Sequence, residues 1–109
     1  MAMLKTNASV DQIAHEVKDF LSRHIHVDRL ILFGSYVDGS PREDSDIDIA
    51  VISEDFNTMS IWDKISLLAQ ASVAVDSRIE LIAFTPKDYS HPQSCSLLNE
   101  IKNKGKVLT

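Results

Sequence analysis

Residues 46–53 read Asp46-Ile47-Asp48-Ile49-Ala50-Val51-Ile52-Ser53, and this stretch decides the fold. Ile47, Ile49 and Val51 fall on one side, with Asp46, Asp48, Ala50 and Ile52 on the other. A period of two predicts a β-strand. Upstream, residues 29–33 (RLILF) are too short and too sharply bounded for a helix. They read as a buried strand that ends at Gly34-Ser35. Between the two strands lies a turn-rich stretch, Asp38-Gly39-Ser40-Pro41.

Further upstream, Ser9 is a candidate N-cap for a first helix. Val10, Ile13, Ala14, Val17, Phe20, Leu21 and His24 recur at helical spacing and predict one apolar stripe, with His24 closing the helix. Downstream, Asn57, Thr58 or Ser60 could cap a helix whose apolar positions are Ile61, Ile65, Leu68, Ala69 and Val73. Residues 78–84 (RIELIAF) predict another buried strand with one acid, Glu80. Thr85-Pro86 opens a short helical turn, since proline suits the first helical position. Residues 95–103 predict a last helix, with Gly105 past its end as a left-handed cap. Val107-Leu108 could add an edge strand. The expected architecture is α/β (α+β): one domain over residues 1–109, a small mixed β-sheet of three to four strands with helices packed on it.

Composition narrows the function. Of 109 residues, 44% are hydrophobic and 25% charged, as in an ordinary globular domain. The net charge of −5 is local. Residues 36–55 contain Asp38, Glu43, Asp44, Asp46, Asp48, Glu54 and Asp55 against Arg42 alone. No basic field exists for nucleic-acid binding. A lone cysteine, Cys95, cannot form an internal disulfide. Apolar runs such as residues 30–33 are far shorter than the ~20 residues that span a membrane. No signal peptide is read at residues 1–10, so a cytoplasmic location is expected.

Three features carry chemistry. Gly34-Ser35 leaves a buried strand, where glycine permits close backbone approach and serine adds a donor to an anion. Asp46 and Asp48 project from one face of a strand, Cα atoms ~6.6–7 Å apart. Two such carboxylates can converge on a divalent cation, with magnesium the natural candidate; the alternative is a solvent-facing strand edge. Glu80 is the acid inside an apolar strand and needs a partner there. That partner is either an arginine, Arg78 or Arg29, or the same cation site.

The pattern Leu32-Phe33-Gly34-Ser35, ten residues, then Asp46-Ile47-Asp48 resembles the G-S-x10-D-x-D signature of the DNA polymerase beta-like nucleotidyltransferases. Ser45 extends the match. The size and element order resemble the minimal nucleotidyltransferase (MNT) domains, and the likeness runs to the ending Ile101, Gly105, Val107, Leu108. The resemblance implies a nucleotidyltransferase-like fold and a magnesium-dependent transfer of a nucleoside monophosphate, AMP from ATP, to a hydroxyl. It implies Gly34, Ser35, Ser45 and Arg42 on the nucleotide, and Asp46, Asp48 and Glu80 on two magnesium ions about 3.5–4 Å apart. It also implies an all-helical HEPN partner, as in MNT/HEPN toxin–antitoxin pairs. The MNT chain there is the antitoxin and can modify a tyrosine of the toxin. A hetero-oligomer or a homo-oligomer would follow. Two departures stand out: Tyr36, Val37 and Asp38 occupy places where many members carry bases, and the third carboxylate is Glu, not Asp. The rival reading is an MNT-fold binding module that neutralises its partner by covering a surface. A transferase acting on antibiotics or other small molecules would carry a further helical domain.

Other residues have plainer readings. His24 and His26 lack the companions of a zinc set. Cys95 suits the core of the last helix. Phe56 and Trp62 are expected in the core or on a partner surface. Lys102, Lys104 and Lys106 form a solvated basic tail.

Overall fold

The computed structural model describes residues 7–34, 47–76, 78–91 and 96–108. The first helix, α1, spans Asn7–Ser22. Val10, Ile13, Ala14, Val17 and Leu21 are buried along one face, as the spacing predicts. The helix starts two residues before Ser9, which is therefore a first-turn residue and not the cap. Its last turn ends at Ser22, so His24 lies beyond the stripe and is exposed. The His24 ring rests 5.6 Å from that of Phe20.

Among the described residues four strands form one sheet: β1 (Arg29–Phe33), β2 (Ile47–Ile52), β3 (Ile79–Phe84) and β4 (Lys106–Val107), in the order β3-β2-β1-β4. β1 runs antiparallel to both β2 and β4, and β2 runs parallel to β3. Central β2 is covered on both sides, which explains its near-continuous apolar run. Ile47, Ile49 and Val51 join the larger core with α1. Ala50 and Ile52 pack on the other face with Ile31, Phe33 and Ile101.

The helix α2, Ile61–Val75, connects β2 to parallel β3. Ser60 caps it, its hydroxyl accepting from the Asp63 amide at 3.1 Å. The predicted apolar stripe is displaced. Leu67, Leu68 and Ala71 are buried, whereas Ile61, Ile65 and Val73 are 64, 54 and 79% exposed. The cause lies in the sheet, which stops at β3. α2 therefore covers a sheet edge, and the half of its apolar surface that projects past that edge has nothing to pack on among the described residues. Trp62, on the same helix, is 76% exposed, while Phe56 is in the core at 1%.

Two short helices complete the chain. In α3, Pro86–Ser90, Thr85 and Asp88 form a reciprocal capping box. In α4, Ser96–Lys104, Leu98 and Ile101 face inward; Cys95 lies outside the described residues. Gly105 follows α4 but does not adopt the expected left-handed conformation. It is required for a different reason: a Cβ there would meet the Ile101 carbonyl and stand 2.6 Å from Ile31 Cγ2. Lys102 of the basic tail is not merely solvated. Its Nζ lies 4.2 Å from the Tyr89 ring centroid and donates to the Tyr89 carbonyl at 3.2 Å.

Beyond β2, Ser53 is fully buried. Its Oγ donates to the His26 carbonyl at 2.6 Å and accepts from the Asp55 amide at 3.1 Å. Asp55 in turn accepts from the His26 amide at 2.7 Å. Ser53→Ala is expected to lower stability by about 1–2 kcal/mol through loss of the cap and of a buried hydrogen bond. Urea denaturation with an unchanged m-value would read it.

Candidate active site

The strand directions bring three sequence-distant residues to one rim of the sheet. β1 ends there, while β2 and β3 begin there. Phe33 pairs with Asp48 across the antiparallel ladder, and Asp48 is level with Glu80 across the parallel one. Register partners on adjacent strands share a face, ~4.8 Å apart. Asp48 and Glu80 therefore stand side by side, on the face opposite α1 and α2. Asp48 is half-buried and Glu80 exposed.

Gly34 closes this row. Its φ of +83° is left-handed, a region costly to residues with a side chain. A Cβ there would overlap Asp48 Oδ2 and lie 3.3 Å from Asp48 Cγ. The backbone that leaves β1 is thus packed against the Asp48 carboxylate. Glycine is needed both for the turn and for that approach.

Glu80 differs from the expectation of a buried acid. β3 is an edge strand, so its side chains are only partly covered and Glu80 reaches solvent. Neither proposed arginine holds it. Arg78 makes a forked pair with Asp76, Nε to Oδ1 at 3.1 Å and Nη2 to Oδ2 at 2.8 Å. Arg29 lies 5.9 Å from the Tyr89 ring centroid. Among the described residues Glu80 makes no ion pair. Ser35, Arg42, Ser45 and Asp46 lie outside the described residues.

Asp48 and Glu80 supply an all-oxygen donor pair that suits a hard divalent cation. Adjacent like charges are unfavourable unless positive charge offsets them. The described residues contain no trio of His, Cys, Asp or Glu that could hold a metal. The pair fits a cation site to which Asp46, two residues before Asp48, is the candidate third contributor.

Sequence reasoning missed an adjoining feature. A groove of about 490 Å³ runs between α2 and β3, lined by Ile61, Lys64, Ile65, Leu68, Glu80 and Leu81 among others. The exposed half of the α2 stripe was the available signal. It could not be told from core without knowing where the sheet stops.

Comparison with known proteins identifies the family. Residues 15–109 match the family model described as "Polymerase beta, Nucleotidyltransferase". Over 82 residues the chain is 32% identical to "Putative protein adenylyltransferase MJ0141" of Methanocaldococcus jannaschii, covering 72% of this chain and 76% of that protein. Over 89 residues it is 30% identical to "Putative protein adenylyltransferase MJ1379" of the same organism, covering 82% and 87%. A solved structure described as a toxin–antitoxin with AMP-PNP superimposes with a TM-score of 0.63 at 28% identity, covering 87% of this chain and 71% of that one. The chain belongs to the polymerase beta nucleotidyltransferase family, and its fold is similar to that of the solved toxin–antitoxin structure. It is a nucleotidyltransferase. Members of this family use a nucleoside triphosphate and a divalent metal.

Proposed function

We propose that this chain transfers AMP from ATP to a hydroxyl of a HEPN-type toxin, a tyrosine, and thereby acts as its antitoxin. The observation that carries the reading is the alignment of Asp48 with Glu80 beside the Gly34 turn. The toxin–antitoxin description of a structural neighbour, and the adenylyltransferase names of two relatives, support the acceptor and partner.

Each residue has a defined task. The tight Gly34 turn and the Ser35 hydroxyl hold the triphosphate, with Ser45 and Arg42 on the same nucleotide. Asp46, Asp48 and Glu80 would hold two magnesium ions. When bound, these ions neutralise the triphosphate and polarise the α-phosphoryl group. The acceptor oxygen bonds to the α-phosphorus as the bond from that phosphorus to the bridging oxygen of the β-phosphate breaks. Pyrophosphate leaves with that oxygen, and the hydroxyl proton passes to Glu80, the exposed carboxylate.

The test is label transfer from α-labelled ATP to a co-purified HEPN partner, with magnesium or with a chelator. Label on the partner tyrosine, lost on chelation, is the expected result. Tight binding of the partner without any transfer would instead establish a binding module, a reading that the acidic residues after Gly34-Ser35 favour.

A further inference from the structure

The groove beside β3 begins at Glu80, and its position relative to that carboxylate gives it a use. Among the described residues β3 is a sheet edge with free hydrogen-bonding capacity. The bonds Ile47 N–H to Arg78 O (2.9 Å) and Ser53 N–H to Phe84 O (3.0 Å) fix which residues of this strand face β2. With the parallel register, residues 78, 80, 82 and 84 direct their backbone groups inward. Residues 79, 81 and 83 direct theirs outward. Ile79 is already used: its N–H donates to Asp76 O at 3.0 Å and its carbonyl accepts from Ser72 Oγ at 3.1 Å. Leu81 and Ala83 are left, each with an outward N–H and C=O that bond nothing among the described residues.

Side chains alternate across the same edge. Leu81 and Ala83 face the α2 side and join the larger core, while Glu80, Ile82 and Phe84 face the other side. The groove on the α2 side is floored by Leu68 and walled by exposed Ile61 and Ile65. Lys64 lines it at the end away from Glu80, with no ion pair among the described residues.

We propose that the free edge of β3 docks the acceptor as an added antiparallel strand, so that an extended polypeptide segment presents its hydroxyl to Glu80. This rests on the transferase reading above and names how its protein substrate is held. A residue paired opposite Glu80 stands ~4.5–5.5 Å from it on the Asp48–Glu80 face. Its neighbour opposite Leu81, and the residue opposite Ala83, point into the apolar groove. An acid two residues beyond the one opposite Ala83 falls on the same side and meets Lys64, which also lines a pocket with Thr85. Backbone bonds to Leu81 and Ala83 supply affinity, and the alternation supplies selectivity. The occupant is therefore acidic–x–apolar–x–apolar–hydroxyl–apolar in sequence.

The capped heptapeptide Glu-Thr-Val-Thr-Val-Tyr-Val is the probe, titrated into the isotope-labelled protein. We expect the amides of Leu81 and Ala83 to shift and to gain exchange protection. Ile65→Asp places a charge in the groove at an exposed position, and Ala83→Pro removes an outward N–H that β2 does not use. Each is expected to weaken the peptide at least tenfold while leaving the ATP affinity unchanged. Shifts that miss Leu81 and Ala83, or an affinity indifferent to Ile65→Asp, would overturn the docking edge. So would concentration-dependent shifts at β3 without peptide, which would mean that a second copy occupies it. Label transfer to the peptide tyrosine is read separately, with Asp48→Ala as control. If the shifts appear and transfer does not, the transferase reading fails and the docking edge stands.

Discussion

Asp48→Asn is expected to lower AMP transfer by at least ~10³-fold, or about 4 kcal/mol of transition-state stabilisation. Asn keeps the volume of the side chain and the path of β2, so the sheet is retained. What is lost is one negative charge at the half-buried centre of the rim, next to Glu80. A second consequence separates this account from simple misfolding. A cation held by the native state alone raises stability by RT ln(1 + [L]/Kd), about 2.7 kcal/mol at a hundredfold excess over Kd. Wild-type protein should therefore gain melting temperature on addition of magnesium and ATP, and Asp48→Asn should gain much less. A variant as active as wild type, or one that gains the same magnesium-dependent stability, would remove Asp48 from the site.

Gly34→Ala is the second large effect, and it acts through shape. The left-handed φ of +83° costs a residue with a Cβ roughly 1–2 kcal/mol. The new methyl also falls on the Asp48 carboxylate, so the carboxylate or the turn must move. A displacement of ~1 Å in a positioned group can cost ~10²-fold in rate. We therefore expect a moderate loss of stability and a loss of transfer of at least ~10²-fold, with KM for ATP raised. Gly34→Val, β-branched, should be worse on both counts. Alanine tolerated without loss of rate would mean that the turn does not position Asp48.

Much of this architecture is legible in the chain. β1 and β2 are bounded apolar runs, and the alternation of β2 places Asp48 opposite Ile47 and Ile49. The Gly34-Ser35 and Asp46-x-Asp48 spacing suggests the site, and the likeness to the nucleotidyltransferases gives its chemistry. Other features are properties of the assembled sheet. That Glu80 lies level with Asp48 depends on the parallel register set by the α2 crossover, which no local pattern encodes. That Glu80 is exposed, and that Ile61, Ile65 and Val73 are uncovered, follows from β3 being an edge. Helical spacing identifies an apolar stripe without identifying how wide its cover is. Gly105 shows a similar limit: its place after α4 suggests a left-handed cap, and the actual constraint is contact with Ile31, far away in sequence.

We propose Gly34, Asp48 and Glu80 as parts of one metal–nucleotide site. Paramagnetic broadening by Mn²⁺ in the presence of ATP tests it without needing the acceptor. Substoichiometric Mn²⁺ should broaden the amide signals of Gly34, Asp48 and Glu80 first, and Asp48→Asn should abolish that selectivity. Broadening centred on Glu54 and Asp55 at the far end of β2, or unchanged by Asp48→Asn, would contradict the site.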